Sequence, residues 1–191
     1  PTTGTSEYGP TVSFTNTYYN ISGTFPLTTD GTISFYYKAA GVSVDAAIIG
    51  NLNAASTTGT LYFAQRSGGN GRRLWSWIVG SSMRGLDPGI NNGNWYLLTL
   101  IFQNGGFDTY VNATNIGTTG GTVAWSIDNW ILGASSHALQ NFCKGELSSL
   151  IVFDKALTIE EVMEVQNYAT SNLPKETIRP PPPPEPEPEP E

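Results

Sequence analysis

The sequence predicts an all-β fold, a sandwich or barrel of short antiparallel strands, closed by one C-terminal helix and followed by an extended tail. Three observations carry this. Runs of β-branched and aromatic residues recur between clusters of Gly, Asn, Asp and Ser. One run, Trp95 to Phe102, is almost continuously apolar, as in a strand buried inside a sheet. A single capping signature, Thr158-Ile159-Glu160-Glu161, marks the only segment with helical character.

Taken in order, the first clear strand is Thr32-Ile33-Ser34-Phe35-Tyr36-Tyr37-Lys38, entered through the turn pair Asp30-Gly31. Gly59 to Ala64 and Leu74 to Val79 follow, the latter with Arg72-Arg73 at its entrance. The cluster Asn91-Asn92-Gly93-Asn94 leads into the apolar run at Trp95, a position expected in the core. Asn104-Gly105-Gly106 then turns the chain into Phe107 to Val111, which predicts a hairpin. Trp130 to Gly133 and Glu146 to Phe153 complete the strands. Gly145 allows a tight entry to the last of them.

The helix starts at Thr158, whose hydroxyl can accept from the Glu161 amide while the Glu161 carboxylate reaches back. Glu160, Glu161 and Glu164 then sit near the positive end of the helix dipole. Ile159, Val162, Met163 and Ala169 form the expected buried stripe, with Leu157 inserted into the core and the helix closing one end of the sandwich. From Pro180 the chain is five prolines and then alternating Glu-Pro. Proline lacks the amide proton that helices and sheets need, so this tail favours polyproline II, roughly 37 Å long at ~3.1 Å per residue. The expected division is a folded domain over 1–173 and a proline-rich linker or tail over 174–191. The tail reads as a spacer to another domain or a particle.

Charge is sparse. The chain of 191 residues is 13% charged with a net −7, about half the usual charged share. Residues 1–157 contribute −1, the segment 158–179 contributes −2 and the tail −4. Gly, Ser, Thr and Asn provide the solubility that Lys and Glu normally supply. A basic face for nucleic acid is not expected. Nor is membrane insertion, since no apolar run approaches the ~18 residues a span needs. The chain opens at Pro1 without a charged n-region and apolar h-region, and reads as a processed form or excised module. Cys143, the lone cysteine, cannot make an internal disulfide and reads as a small core hydrophobe.

Two stretches resemble a known family. Asn94-Trp95-Tyr96-Leu97-Leu98-Thr99-Leu100-Ile101-Phe102, with Gly105-Gly106-Phe107-Asp108-Thr109-Tyr110-Val111-Asn112, is similar to the central hairpin of laminin-G-like jelly rolls. These belong to the concanavalin A-like lectin/glucanase superfamily. The family's usual His-His after the Trp is replaced here by Tyr96-Leu97, and its Asp-Gly by Asn112-Ala113. Phe142-Cys143-Lys144-Gly145-Glu146-Leu147, then Leu150 to Val162, resembles the family's closing pattern F-x-G-x-I-x-x-x-x-x-Y-x-x-A-L-S-x-E-E-I. The resemblance covers about residues 10–170. It implies a two-sheet antiparallel jelly roll, and carries no catalytic chemistry by itself.

Glucan-cleaving relatives resemble one another in a Glu-x-Asp-x-x-Glu strand, two carboxylates serving as nucleophile and acid. No such string occurs, and the body's two glutamates, Glu7 and Glu146, are isolated. Tyr36-Tyr37-Lys38-Ala39-Ala40-Gly41 superficially matches a polysaccharide-lyase string but stands too early and without its partner strings. A non-enzyme is therefore expected. His137, the only histidine, reads as a loop residue. The resemblance implies calcium as the one cofactor to consider, held by loop oxygens. Asp45, Asp87, Asp108 and Asp128 are the candidates, although turn roles account for them too. Sequons occur at Asn20-Ile21-Ser22 and Asn112-Ala113-Thr114.

The reading with a positive residue basis is glycan binding. Aromatic faces meet the apolar side of a pyranose, and planar polar groups meet its hydroxyls. Trp75 and Trp77 are two apart on one strand and so share a face. Arg66, Arg72, Arg73 and Arg84 cluster around them, and arginine also pairs with the carboxylates of acidic polysaccharides. Placement of the tryptophans in the core, with snorkelling arginines, is the competing reading. The expectation is a carbohydrate-binding surface module for adhesion or attachment, outside the cell or on a cell or virion surface; the alternative is a structural or protein-binding module of a virion or cell surface. Its partner would be a glycan or polysaccharide, or a surface protein.

Overall fold

Alternation along the central strands decides the architecture. Ile33, Phe35, Tyr37 and Ala39 share one side of a strand, and Leu98, Leu100 and Phe102 share one side of its neighbour; all seven are buried in one core. The computed structural model describes residues 2–6, 8–21, 30–40, 46–51, 61–68, 71–78, 84–86, 90, 93–103, 106–119, 130–134 and 142–171. Of residues 2, 46, 51, 61–68, 71–78, 84–86, 119 and 169–171 it describes the backbone.

Among the described residues, thirteen strands and one helix follow in order: β1 Thr2–Ser6, β2 Gly9–Thr15, β3 Tyr19–Ile21, β4 Gly31–Ala39, β5 Ala46–Asn51, β6 Leu61–Gly68, β7 Gly71–Ile78, β8 Arg84–Leu86, β9 Trp95–Gln103, β10 Gly106–Val111, β11 Thr114–Thr119, β12 Trp130–Leu132, β13 Lys144–Phe153 and α1 Ile159–Ser171. They form two antiparallel sheets. The first has the order β1-β2-β13-β4-β9-β10-β11, the second β3-β12-β5-β6-β7-β8. The predicted all-β sandwich with one short helix is therefore observed. The hairpin around 104–105 is observed too, with Gln103 paired to Gly106. The tail lies outside the described residues. No described helix is long and apolar enough to cross a membrane.

The core lies between the sheets. Phe14, Ile33, Phe35, Tyr37, Leu98 and Phe102 come from the first sheet, and Ile48, Ile49, Trp130 and Leu132 from the second. Gly145 is required by a close approach: its φ is +154°, and a Cβ there would lie 2.4 Å from the Lys38 carbonyl oxygen. Cys143 is fully buried, its Sγ 3.1 Å from the Tyr37 hydroxyl. Burial pushes its thiol up to about 12 against the relief of that hydrogen bond, so it stays an inert thiol.

Two expectations are corrected on the outer side of the first sheet. Trp95 is not in the main core. It stands on the outward parity of β9 with Leu97 and Ile101, partly buried against Tyr36, Leu97 and Tyr8. The β9 run is apolar on both parities because both of its faces are covered. Similarly, α1 does not close an end of the sandwich. Leu157 and Val162 pack with Ile101, Phe153 and Tyr110 in a second cluster, which lays the helix across the outer face. Only a narrow stripe meets the sheet. Val162 is fully buried and Val165 packs beside it, whereas Ile159 and Met163 are exposed. The side chain of Ala169, the remaining member of the predicted stripe, lies outside the described residues. The chain turns into α1 at Thr32, whose hydroxyl donates to the Lys155 carbonyl at 2.9 Å and accepts from the Leu157 amide at 3.0 Å. The capping box is present: the Thr158 amide donates to Glu161 Oε2 at 2.8 Å, and the Glu161 amide to Thr158 Oγ1 at 3.3 Å.

Candidate functional site

The second sheet brings the predicted aromatic and arginine positions onto three adjacent strands. β6 and β7 pair in unbroken register, with Tyr62 opposite Trp77, Ala64 opposite Trp75, Arg66 opposite Arg73 and Ser67 opposite Arg72. β8 adds Gly85 opposite Trp75 and Arg84 opposite Ser76. Directly opposed residues belong to one side of a sheet, and successive pairs alternate sides. One set of register positions therefore holds Tyr62, Arg66, Arg73, Trp75 and Trp77. The other holds Arg72 and Arg84, with Phe63 and Ser76. This second set continues through Phe63 to Ile49 of β5 and Leu132 of β12, both in the core.

The six predicted residues are thus divided by register. Trp75, Trp77, Arg66 and Arg73 fall together, offset by one from the core set; Arg72 and Arg84 fall with the core set. Sequence reasoning grouped all six, because the pairing frame between strands is invisible until the turns are known. It also missed Tyr62, which the ladder places opposite Trp77. The side chains of these residues lie outside the description. Further along the sheet, Ile131 of β12 pairs with Gly50, is fully buried, and belongs to the set offset from the core. That side of the sheet is therefore covered at its β12 end.

Of the calcium candidates, Asp45, Asp87 and Asp128 lie outside the described residues, as does His137. Asp108 stands within β10 rather than in a turn, and its carboxylate accepts from the Thr118 hydroxyl of β11. Among the described residues no three His, Cys, Asp or Glu side chains group to hold a metal. The lyase-like string is not assembled as a site. Tyr37 faces the core, donating to the Lys144 carbonyl at 3.1 Å, while Tyr36 is on the opposite side of the strand.

Around Tyr36 the structure shows a cluster the sequence did not reveal. Tyr8 stacks on Tyr36 at 4.2 Å between ring centroids and tilts against Trp95 at 5.4 Å. The Lys38 ammonium lies 5.7 Å from the Trp95 ring centroid and 3.2 Å from Glu146. Burial, with Tyr8 beside it, pushes the Tyr36 hydroxyl up to about 12. The signal was hidden because Tyr8, Tyr36 and Trp95 are far apart in sequence: β4 pairs directly with β9, which brings Tyr36 beside Trp95, and β13, between β2 and β4, brings in Tyr8.

Comparison with known proteins agrees with this architecture. A family model described as concanavalin A-like lectin/glucanases superfamily matches residues 13–163. No curated protein sequence matches. Among solved structures, a native heptameric SAP-like pentraxin from Limulus polyphemus is similar over 89% of this chain and 84% of its own, with 21% identity and a TM-score of 0.65. Domain 4 of AbnA, a GH43 extracellular arabinanase from Geobacillus stearothermophilus, solved with arabinotriose, is similar over 86% and 80%, with 15% identity and a TM-score of 0.64. The CBM40 of the Ruminococcus gnavus IT-sialidase, bound to α2,3 sialyllactose, is similar over 82% and 97%, with 14% identity and a TM-score of 0.57.

Proposed function

We propose, from the premise that the chain belongs to the concanavalin A-like lectin/glucanase superfamily, that it is a non-catalytic carbohydrate-binding module. The observation that carries this is the β6–β7 register. It sets Trp75 and Trp77 in one set of ladder positions with Tyr62, Arg66 and Arg73. Aromatic positions in a row, flanked by guanidinium groups, suit a pyranose chain that carries hydroxyls and carboxylates. The jelly rolls solved with arabinotriose and sialyllactose support the reading, since their fold is shared.

The chemistry of the chain supports binding rather than cleavage. The sequence has no Glu-x-Asp-x-x-Glu string, and Glu146, one of the body's two glutamates, is held by Lys38. The sparse charge and the proline-rich tail support a role in adhesion or attachment at a cell or virion surface, with the tail as the spacer. Of the four calcium candidates, Asp108 already accepts from Thr118, which leaves Asp45, Asp87 and Asp128 as the ones to test.

A glycan array probed with the full chain, with and without EDTA, tests the function. Retention of a defined acidic or neutral oligosaccharide is expected, and loss of signal in EDTA that added Ca²⁺ alone restores would assign it to calcium. Absence of binding to every glycan would overturn the function. Trp77→Ala and Arg73→Ala, each checked for native circular dichroism, test the site. A folded Trp77→Ala protein that binds as before would move the site to another surface.

A further inference from the structure

The last strand changes status midway. From Lys144 to Ser148, β13 is interior, paired with β2 on one side and β4 on the other. Pairing with β2 ends at Ser148, opposite Thr11. Pairing with β4 shifts and resumes at Ile151, opposite Ser34. Ser149 takes a φ of +51°. Its hydroxyl donates to the Tyr8 carbonyl at 2.7 Å, and the Ser148 hydroxyl reaches the Tyr8 and Pro10 carbonyls. These bonds fix the corner between β1 and β2 at the bulge. Beyond it, Ile151-Val152-Phe153 has β4 on one side and, among the described residues, no strand on the other. Burial changes accordingly: Leu147 and Ser148 are buried, whereas all four residues from Leu150 to Phe153 are only partly so.

Three consecutive strong strand formers with an edge unpaired among the described residues are what folded proteins ordinarily cover, because unpaired N–H and C=O groups template another strand. Beside this edge, on the outer face, lies a groove of about 460 Å³. It is lined by Ile151, Phe153 and Leu157, by Glu164, Val165 and Tyr168 of α1, and by the Lys155–Glu161 ion pair. An open edge supplies main-chain hydrogen bonds, and a flanking groove takes alternate side chains. Together these are the two elements of recognition by strand addition.

We propose that the Ile151–Phe153 edge and this groove are a docking slot for an extended segment of a partner polypeptide, which adds as a strand to the first sheet. Charge selects the segment. The first turn of α1 is acidic and its last turn has no basic residue. Lys155 engages Glu161, while Glu164 lines the groove with no ion pair among the described residues. The segment that fits alternates apolar and polar residues, with a lysine or arginine placed to meet Glu164. This surface belongs to the opposite sheet from the glycan-binding positions, so a partner and a glycan could be held together.

The test is selection of a phage-displayed library of random twelve-residue peptides on the full chain, with an Ile151→Arg protein as counter-selection. Peptides retained only by the unaltered chain should show alternating apolar residues and a basic residue. In the best synthetic peptide, N-methylation of alternate amides on one edge should weaken binding at least tenfold, and on the other edge should leave it. Glu164→Lys should weaken the basic peptide and favour its acidic counterpart. Tyr168→Ala, which removes part of the lining, serves as the weakened-binding variant if Ile151→Arg does not fold. No peptide distinguishing the two proteins, or indifference to N-methylation on both edges, would overturn the proposal. Self-association that Ile151→Arg abolishes would also overturn it, by placing a second copy in the slot.

Discussion

Gly145→Ala separates a steric requirement from a conformational one. The new Cβ would lie 2.4 Å from the Lys38 carbonyl oxygen and 2.9 Å from the Tyr37 ring. Ordinary van der Waals contact begins near 3.4 Å, so β4 and β13 would have to separate by about 1 Å in the middle of the first sheet. Holding alanine at a φ of +154° costs about 1–3 kcal/mol, and overpacking adds about 1–3 kcal/mol. The total is about 2–6 kcal/mol, a large share of the ~5–15 kcal/mol that holds a domain. Gly93→Ala is the control: its φ is +80° with nothing within 4 Å of a Cβ, so it carries the conformational part alone, about 1–2 kcal/mol. Urea unfolding followed by tryptophan fluorescence should give a much lower midpoint for Gly145→Ala than for Gly93→Ala, at an unchanged slope. If the two variants lose equal stability, the close approach of β4 is not what demands glycine at 145.

Val162→Ala should lose about 1–3 kcal/mol in the same assay, because Val162 is fully buried against the outer face. Met163→Ala, one residue on and half exposed, should lose less than about 0.5 kcal/mol; the reverse order would mean α1 is rotated. Thr158→Ala should cost about 1 kcal/mol through the lost cap. Lys155 and the Thr158 amide hold the Glu161 carboxyl below its ordinary value of 4.5. That group therefore stabilises the fold above pH ~4.5 and ceases to as pH falls through its lowered value, so Glu161→Gln should flatten the acid limb of the stability profile. On the alkaline side, Cys143 ionises near 9.0 when unfolded but only near 12 when folded. Stability should decline from about pH 9 upward, and native protein should resist a thiol reagent that modifies it at once in urea. Rapid labelling of native protein would show that Cys143 is reached by solvent.

The central strands were legible because their residues have to satisfy a core. Ile33, Phe35 and Tyr37, and Leu98 and Leu100, alternate or run apolar for that reason, and the turn pairs at 30–31 and 104–105 bound them. Edge strands were not: β1 is Thr-Thr-Gly-Thr-Ser and β11 Thr-Asn-Ile-Gly-Thr-Thr, which bury little and carry no pattern. The capping box was legible because it is local. The direction in which α1 lies was not, since it depends on Ile101 and Phe153, which come from other strands. At the candidate site the residue types could be read from the sequence, but their division between Trp75, Trp77, Arg66 and Arg73 on one hand and Arg72 and Arg84 on the other required the ladder.

The position of β13 has a consequence for how the chain is made. It lies between β2 and β4, so residues 11–15 meet residues 144–148 across nearly the whole length of the domain. A ribosome releasing the chain from its N-terminus leaves β2 and β4 with facing, unpaired edges until the final strand emerges. Such long-range closure gives a high contact order and slow folding, and exposes strand edges to neighbouring nascent chains in the interval. Completion is accordingly all-or-none: a chain stopped before Lys144 lacks the strand that joins the two parts of its sheet, and chaperone dependence during synthesis should be greatest there.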